Sequence, residues 1–405
     1  MLSVAETEKI ILDLVKPFDP EIDSEILPLS KVLNRILAED ISSNLDFPHW
    51  DNSAMDGYAL RAADGVLGAR LAVIGAAPAG HPFAGSVGPG QAVRIFTGGF
   101  VPEGADSILL QEDAEAADGA VVVKESVTPG RWVRKRGLDF AEGETLLAAG
   151  RRLTARDIGL AAASNNPWLA VHRRPRIGIL ATGDEIALPG DPIPPGGIVS
   201  SNAHALAALI RAAGGEPIVL PIAPDDASAI ADIAAAARAY DMLVTTGGAS
   251  VGEHDLIQQA LGGEGFELGF WKIAMRPGKP LIWGRLGRVP VLGLPGNPVS
   301  ALVCAIIFLL PALARLSGLP GAPTPSRRVI CATALAENDR RADFLRASLE
   351  ADGQGHITVR PFAVQDSSML ATLARADALV LRAPFAPALP AGAEVEAIML
   401  SELGV

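Results

Sequence analysis

Residues 177–185 read Ile-Gly-Ile-Leu-Ala-Thr-Gly-Asp-Glu, a short apolar strand that runs into a polar loop containing glycine. The pattern recurs twice, as Met-Leu-Val-Thr-Thr-Gly-Gly-Ala-Ser from residue 242 and as Val-Pro-Val-Leu-Gly-Leu-Pro-Gly-Asn-Pro from residue 289. Such loops lie at the carboxyl edge of an open α/β sheet, where these folds bind ligands. Glycine lets the backbone approach a ligand, and successive N–H groups there bind anions. The three loops therefore predict one anion-binding edge.

Outward from these loops, the pattern predicts an α/β multidomain protein. Strands and helices alternate over residues 173–320, which indicates a central three-layer α/β domain with a mostly parallel sheet. Residues 1–50 and 140–172 are predicted to form an N-terminal helical and extended domain, with helices over 4–15, 29–37 and 155–164. Short apolar runs between glycines and prolines predict a small β domain over 51–139 and a C-terminal β domain over 321–405.

Acidic side chains follow three of the predicted strands. Glu185, Asp225 and Asp255 each stand just beyond a strand or in the turn after it. Carboxylates beside an anion site would repel the ligand unless a divalent cation lay between them, so these residues predict a Mg²⁺ site. Asp225 and Asp255 could instead cap helices.

Three cations lie within eight positions of this acidic chain. Lys272, Arg276 and Lys279 flank Pro277-Gly278, which breaks the strand, and a bend there would let the three side chains converge. The cluster suits a tetrahedral oxyanion, for which arginine supplies a planar fork. A solvated basic edge is the alternative.

Three further loops are less specific when read alone. Asn297-Pro298 begins a helix with Ser300 in its first turn, and helix N-termini bind anions. The loop at 51–57, which contains Asp56, and Thr97-Gly98-Gly99 are polar turns of either structural or functional use.

Composition excludes several classes of protein. The 405 residues carry a net charge of −12, which argues against a nucleic-acid surface. Two distant cysteines and an N-terminus without a basic segment predict a cytoplasmic protein with no disulfide framework. The longest apolar run, from residue 301, predicts a buried helix too short to span a bilayer, and hence no membrane partner.

Taken together, these motifs resemble the bacterial molybdopterin molybdenumtransferases (MoeA) and the related E domains of gephyrin. The block Asp-Asn-Ser-Ala-Met-Asp-Gly-Tyr-Ala at 51–59 is the most specific match. Phe-Thr-Gly-Gly at 96–99, Thr-Gly-Asp-Glu at 182–185, Pro-Gly-Lys-Pro at 277–280 and Leu-Pro-Gly-Asn-Pro at 294–298 follow in the family's order.

The resemblance implies an enzyme that inserts molybdate into adenylylated molybdopterin with Mg²⁺ and releases AMP. It also implies a homodimer whose site lies at the dimer interface, supplied by a molybdopterin adenylyltransferase and serving cofactor-accepting enzymes. The catalytic residues it implies are Asp56, Thr97, Asp255, Lys272, Arg276 and Lys279, and the metal ligands are Glu185, Asp225 and Asp255. The cofactor-binding residues it implies are Thr182, Gly183, Glu185, Gly247, Gly248, Ser250, Gly252, Pro295, Gly296, Asn297, Ser300, Arg346 and Ser367.

Two positions depart from the family pattern. Arg276 stands where many members have a second lysine, and Asp366 precedes Ser367 where glycine is expected. The competing interpretations are a molybdopterin adenylyltransferase, a non-enzymatic scaffold like gephyrin, and a nucleotide-pyrophosphatase relative on the same α/β fold.

Overall fold

The chain folds as two units, one formed by residues 1–25 and 172–405 and the other by residues 26–171. The computed structural model describes residues 1–247, 265–351, 355 and 357–404. The finer division into four domains stays a prediction.

A six-stranded sheet forms the centre of the first unit. Four of its strands are mutually parallel and lie in the order Glu216–Val219, Arg176–Ala181, Met242–Thr246 and Val289–Leu294. Pro280–Leu286 and Phe266–Lys272 continue the sheet as antiparallel neighbours. Unbroken apolar runs such as 177–181 are buried, as a sheet covered on both faces requires. The predicted, mostly parallel α/β domain is confirmed.

Helices accompany this sheet. The α-helices of the first unit, among the described residues, are Val4–Leu14, Asn202–Ala212, Ala227–Ala235, Pro298–Leu316 and Leu370–Ala374. The apolar helix Pro298–Leu316 contains a π-helical stretch, Ala305–Leu309. Its 19 residues are long and apolar enough to cross a membrane, so the predicted shortness was wrong. However, 78% of its most apolar stretch is buried inside the protein, which indicates a core helix.

The C-terminal part of the first unit is a small barrel. Strands Arg327–Cys331, Ala342–Ala351, Ile357–Pro361, Ala378–Arg382 and Glu394–Met399 form one sheet. Ala342–Ala351 pairs with both Ile357–Pro361 and Ala378–Arg382, which closes the sheet on itself. Met275–Arg276, from the α/β part of the chain, joins this barrel as an extra parallel strand.

The second unit is built mainly from strands. Its six-stranded sheet contains, in order, Ser107–Leu110, Gly57–Leu60, Gln91–Ile95, Arg70–Ala77, Ala120–Val123 and Ala114–Ala117. Two short pairs are Asn52–Ser53 with Val133–Arg134 and Ile41–Ser42 with Thr145–Leu147. Helix Ala155–Ala163 begins after Thr154, as predicted, and the Asp157 carboxylate accepts from the Thr154 nitrogen and hydroxyl at 2.8 Å each.

The helix predicted over 29–37 was wrong. The structure has only a short 3₁₀ turn at Leu29–Lys31, and Leu37 forms an isolated bridge with Val171. Asn34 takes a positive φ of 62°, which an α-helix cannot contain. The apolar residues that suggested a helical face pack instead around Leu37 and Val171 in a core of their own.

Candidate functional site

Three parallel strands end in the loops that the sequence singled out. The strands finish at Ala181, Thr246 and Leu294, and the carboxyl ends of parallel strands meet at one edge of a sheet. The Thr182 nitrogen donates to the Thr246 carbonyl at 3.2 Å, so the first two loops are in contact. We call this edge, residues 182–185, 247 and 295–297, the rim.

Asn202 ties two parts of the rim together. Its side-chain nitrogen Nδ2 donates to Thr246 Oγ1 at 2.8 Å and to the Gly296 carbonyl at 2.7 Å. Sequence reasoning missed this residue, although a Ser-Asn pair at the start of helix Asn202–Ala212 is a polar signal of the same kind as Asn297-Pro298. We infer that Asn202 holds the loops after two strands at a fixed separation.

Two glycines of the rim are required by close contacts. Gly183 has a φ of 143°, and a Cβ there would lie 2.5 Å from Glu185 Oε2. Gly247 has a φ of 92°, and a Cβ there would lie 2.5 Å from the Thr182 carbonyl oxygen. Any other residue would therefore displace the Glu185 carboxylate or separate the two loops.

A buried hydroxyl at the rim has no partner within the described part of the chain. Thr182 is 3% exposed, and its Oγ1 makes no hydrogen bond there. Thr245 Oγ1, one strand away, is in the same state. A buried polar group without a partner is costly, so the Thr182 hydroxyl, which lies at the rim, is suited to pair with a ligand bound there.

Two of the three loops that carry predicted acidic residues are in contact. Gly183 N donates to the Ala223 carbonyl, and Asp184 Oδ1 accepts from Asp225 N, each at 3.2 Å. The loop that carries Asp225 therefore lies against Gly183 and Asp184. Within residues 1–247, 265–351, 355 and 357–404 no group of three metal-ligating side chains is found. The third predicted metal ligand, Asp255, lies outside the described residues, as do Gly248, Ser250 and Gly252.

The cationic segment turns back as predicted. Lys272 lies opposite Pro280 in the antiparallel pair, and the Ile273 nitrogen donates to the Lys279 carbonyl at 3.2 Å. Gly278 has a φ of 117°, and a side chain there would overlap Cys304 Sγ. We call residues 272–280 the cationic bend.

Carboxylates of the C-terminal barrel engage Arg276. Its Nε donates to Asp343 Oδ1 at 2.9 Å, and its Nη2 donates to Asp343 Oδ2. Nη1 lies 3.5 Å from Asp339 Oδ2. The hydrogen bonds to Asp343 raise the pKa of the Arg276 guanidinium.

Of the two predicted C-terminal residues, Ser367 contacts the rim and Arg346 lies beside it in the barrel. Asn297 Nδ2 donates to Ser367 Oγ at 2.9 Å, and Val299 N donates to the Ser367 carbonyl at 3.2 Å. Arg346, only 1% exposed, donates to Gln365 Oε1 at 3.1 Å and to the Asp366 carbonyl at 2.8 Å. Burial lowers the pKa of Arg346.

Asp366, the unexpected acid beside Ser367, has its own partner. Its Oδ1 accepts from the nitrogen of Ser368 at 2.8 Å and from the hydroxyl of Ser368 at 2.5 Å. The bond from the Ser368 side chain, with that from its nitrogen, lowers the pKa of Asp366.

In the second unit, Asp56 and Thr97 form a pair. Asp56 Oδ1 accepts from the Thr97 nitrogen at 2.7 Å and from Thr97 Oγ1 at 2.8 Å. The backbone bond is the main cause of a lowered pKa at Asp56. The neighbouring Asn52 Oδ1 is buried and has no partner within the part of the chain that the structure describes.

Comparisons with known proteins agree with these motifs. Residues 2–164 match the family described as MoeA N-terminal region (domain I and II), and 328–400 match MoeA C-terminal region (domain IV). Residues 178–315 match the Probable molybdopterin binding domain. A molybdopterin molybdenumtransferase of Nostoc sp. is 40% identical over 79% of this chain and 75% of its own length. The chain belongs to the molybdopterin molybdenumtransferase (MoeA) family.

Other members of the MoeA family cover still more of the chain. The molybdopterin molybdenumtransferase of Haemophilus influenzae is 35% identical over 94% of both proteins. A solved molybdopterin biosynthesis MoeA protein from Pyrococcus horikosii is 31% identical, with a TM-score of 0.85 over 98% of this chain and 99% of its own. The resemblance in the sequence motifs therefore extends to the whole fold.

Within the MoeA fold, the predicted site residues include three described groups. In the first unit, hydrogen bonds or close contacts join the following residues at the rim: Thr182, Gly183, Glu185, Asp225, Gly247, Gly296, Asn297 and Ser367. Lys272, Arg276 and Lys279 form the second group, the cationic bend, whereas Arg346 is buried against Gln365 and Asp366. Asp56 and Thr97 form the third group, in the other unit. The catalytic and binding roles of all these residues stay predictions.

Proposed function

We propose that this protein inserts molybdate into adenylylated molybdopterin and releases AMP, with the assistance of Mg²⁺. The coarser statement, transfer of molybdenum to molybdopterin in molybdenum cofactor biosynthesis, follows from its family. We propose in addition that the substrate is adenylylated, that AMP is the leaving group and that Mg²⁺ takes part.

The observation that carries the proposal is the set of groups that meet at the rim. Gly183 and Gly247 let the loops of the rim pack closely, the buried Thr182 hydroxyl lacks a partner among the described residues, and the Glu185 carboxylate lies over Gly183. A hydroxyl donor suits a phosphate oxygen, whereas a carboxylate suits a cation bound to the phosphate. A phosphate-bearing pterin accompanied by a divalent cation satisfies both.

The residues at the rim fit Mg²⁺ in kind. Carboxylate oxygens are the ligands that this ion prefers, and Glu185 and the loop of Asp225 both lie against Gly183 or Asp184. We propose that Glu185, Asp225 and Asp255 hold it. When bound, Mg²⁺ would neutralise the charge of the pyrophosphate oxygens.

For the oxyanion, we propose the cationic bend. Lys272 and Lys279 are brought to neighbouring positions because the chain turns back between them. Two ammonium groups match the charge of a molybdate dianion. The two thiols of the pterin then replace one oxide of molybdate, and that oxide leaves as water with the two thiol protons.

Asp56 is proposed to orient the water or the metal ion at the P–O–P bond that breaks. Its carboxylate is held by Thr97 and its pKa is lowered, so it stays ionised and accepts a hydrogen bond from water at neutral pH. We further propose that Asp56 acts in the site of the partner subunit of a homodimer.

The test is AMP release from adenylylated molybdopterin by the purified protein, with and without molybdate. Molybdate should stimulate AMP release, and a chelator of Mg²⁺ should suppress it. AMP release that ignores both additions would refute the proposal.

The two alternative functions predict different results for the same purified protein. An adenylyltransferase would accumulate adenylylated pterin from ATP and molybdopterin without molybdate. A scaffold would keep its role in Lys272→Ala, whereas an insertase would lose activity.

A further inference from the structure

Arg276 and Asp343 join the cationic bend to the C-terminal barrel by a two-pronged ion pair. Both carboxylate oxygens of Asp343 accept from the guanidinium, one from Nε at 2.9 Å and the other from Nη2. Asp343 is only 4% exposed, so the ion pair holds a buried carboxylate. A fork of this kind fixes direction as well as distance, which a lysine cannot reproduce.

The backbone repeats the attachment. Met275–Arg276 runs parallel to Ala342–Ala351, with Met275 beside Ala342 and Arg276 beside Asp343. The Ala342 nitrogen donates to the Ala274 carbonyl at 2.9 Å. The middle of the bend is therefore a strand of the barrel, while both its ends belong to the α/β sheet.

The charge of Arg276 is already matched where it stands. Asp343 takes two of its donors, and Asp339, which also pairs with Arg341 at 3.1 Å, lies near a third. An incoming oxyanion would have to displace these carboxylates before Arg276 could bind it.

We propose that Arg276 and Asp343 are a positioning pair that locks the cationic bend onto the barrel, and that Arg276 acts through this pair and does not itself bind the oxyanion. This inference rests on the proposed function, in which the oxyanion is molybdate. It assigns Asp343 a part that no sequence motif indicated, and it replaces direct binding by Arg276, which the sequence predicted.

A positioning role for Arg276 and direct oxyanion binding by Arg276 predict different KM values for molybdate in three variants. Arg276→Lys keeps the charge but loses the fork, and Asp343→Asn keeps the shape but loses the charge. Under the proposal each raises this KM about tenfold, because a small displacement of binding groups is costly. Arg276→Gln combined with Asp343→Asn should be no worse than the poorer single variant, since the two residues act as one unit.

Two results would overturn the pair. A wild-type KM in Arg276→Lys would show that only the charge matters. A lower KM in Asp343→Asn would show that freeing Arg276 strengthens oxyanion binding.

A second measurement needs no substrate and separates this inference from the proposed function. Ile273 N–H bonds to Lys279 and Ala342 N–H bonds to Ala274, so amide hydrogen exchange at 273 and 342 reports on the bend. Asp343→Asn should accelerate exchange at both amides by about tenfold or more relative to the amide of Val244 in the core sheet. Unchanged exchange would overturn the pair even if the enzyme is active, and absence of molybdate-dependent turnover in the wild type would refute only the function.

Glu350→Gln is the matched control. Glu350 lies on the same strand as Asp343 and pairs with Arg360 at 2.7 and 2.8 Å, away from the bend. This variant should leave the molybdate KM and both amides unchanged.

Discussion

Asp56 receives two hydrogen bonds from Thr97 through a single carboxylate oxygen, Oδ1, at 2.7 and 2.8 Å. One comes from the main chain and survives any substitution except proline, whereas the other comes from the hydroxyl. The two contributions to the lowered pKa of Asp56 can therefore be separated.

Thr97→Val should raise the pKa of Asp56 toward its ordinary value without restoring it fully. A carboxylate with a depressed pKa contributes stability above the unfolded-state pKa and loses it as pH falls through the folded-state pKa. The valine variant should therefore begin to lose this contribution at a higher pH than the wild type. A ¹³C NMR titration of the Asp56 carboxyl carbon measures the shift directly, and Thr97→Ser, which keeps the hydroxyl, should titrate like the wild type.

The proposed homodimer predicts complementation between two inactive variants. If Asp56 serves the partner's site, mixing Asp56→Asn with Lys272→Ala and allowing subunits to exchange should restore about a quarter of wild-type activity, because about half of the dimers are mixed and each mixed dimer has one intact site. AMP release before and after exchange measures this. If both residues served the same chain's site, the mixture would stay inactive.

Gly183→Ala should damage activity more than stability. The positive φ costs about 1 kcal/mol for any other residue, and the Cβ would also displace the Glu185 carboxylate. We expect a fall in molybdate-dependent AMP release of about tenfold or more, with a raised Mg²⁺ requirement. Gly190→Ala is the control, since Gly190 has a φ of 97° and open space around its missing Cβ. Equal losses of activity in the two variants would contradict the role of Glu185.

Asn202→Ala should loosen the rim. It removes the donor shared by Thr246 and Gly296, which costs about 1–3 kcal/mol of unfolding free energy and lowers kcat/KM. Asn44→Ala is a matched control because its amide likewise makes two hydrogen bonds, to Asn165 and Asn166 in the other unit. Chemical denaturation and AMP release measured on both variants separate stability from activity. A similar fall in kcat/KM in Asn44→Ala would show that Asn202 has no specific effect on the rim.

Local pattern predicted the parts of the site that lie close in sequence. Short apolar strands followed by glycine loops placed the rim correctly, because parallel strands bring their carboxyl ends to one edge whatever the rest of the chain does. The bend at Pro277-Gly278 was likewise readable, since those residues break a strand.

Contacts between residues that are distant in sequence could not be predicted from the sequence. The Arg276–Asp343 pair joins positions 67 residues apart, and the Asn297–Ser367 bond joins positions 70 apart. Neither contact produces a periodic pattern in the sequence, because each depends on how the barrel packs against the α/β part. The false helix over 29–37 has the same origin: apolar spacing fitted a helix, but contacts with Val171 set an extended path.

Thr182→Val separates binding from stability most directly. The Thr182 hydroxyl is buried and has no hydrogen-bond partner among the described residues, so its removal should leave the unfolding free energy unchanged or raise it by up to about 1 kcal/mol. If that hydroxyl donates a hydrogen bond to the bound substrate, the same change should raise the KM for adenylylated molybdopterin about tenfold, since one hydrogen bond to a charged group is lost. Thr245→Val is the control, because it removes a hydroxyl that likewise has no partner in the described part of the chain but lies within strand Met242–Thr246. Thermal unfolding and steady-state AMP release on both variants decide the matter: a raised KM confined to Thr182→Val supports the role, and a variant that loses stability but keeps its KM would show that the hydroxyl serves the fold.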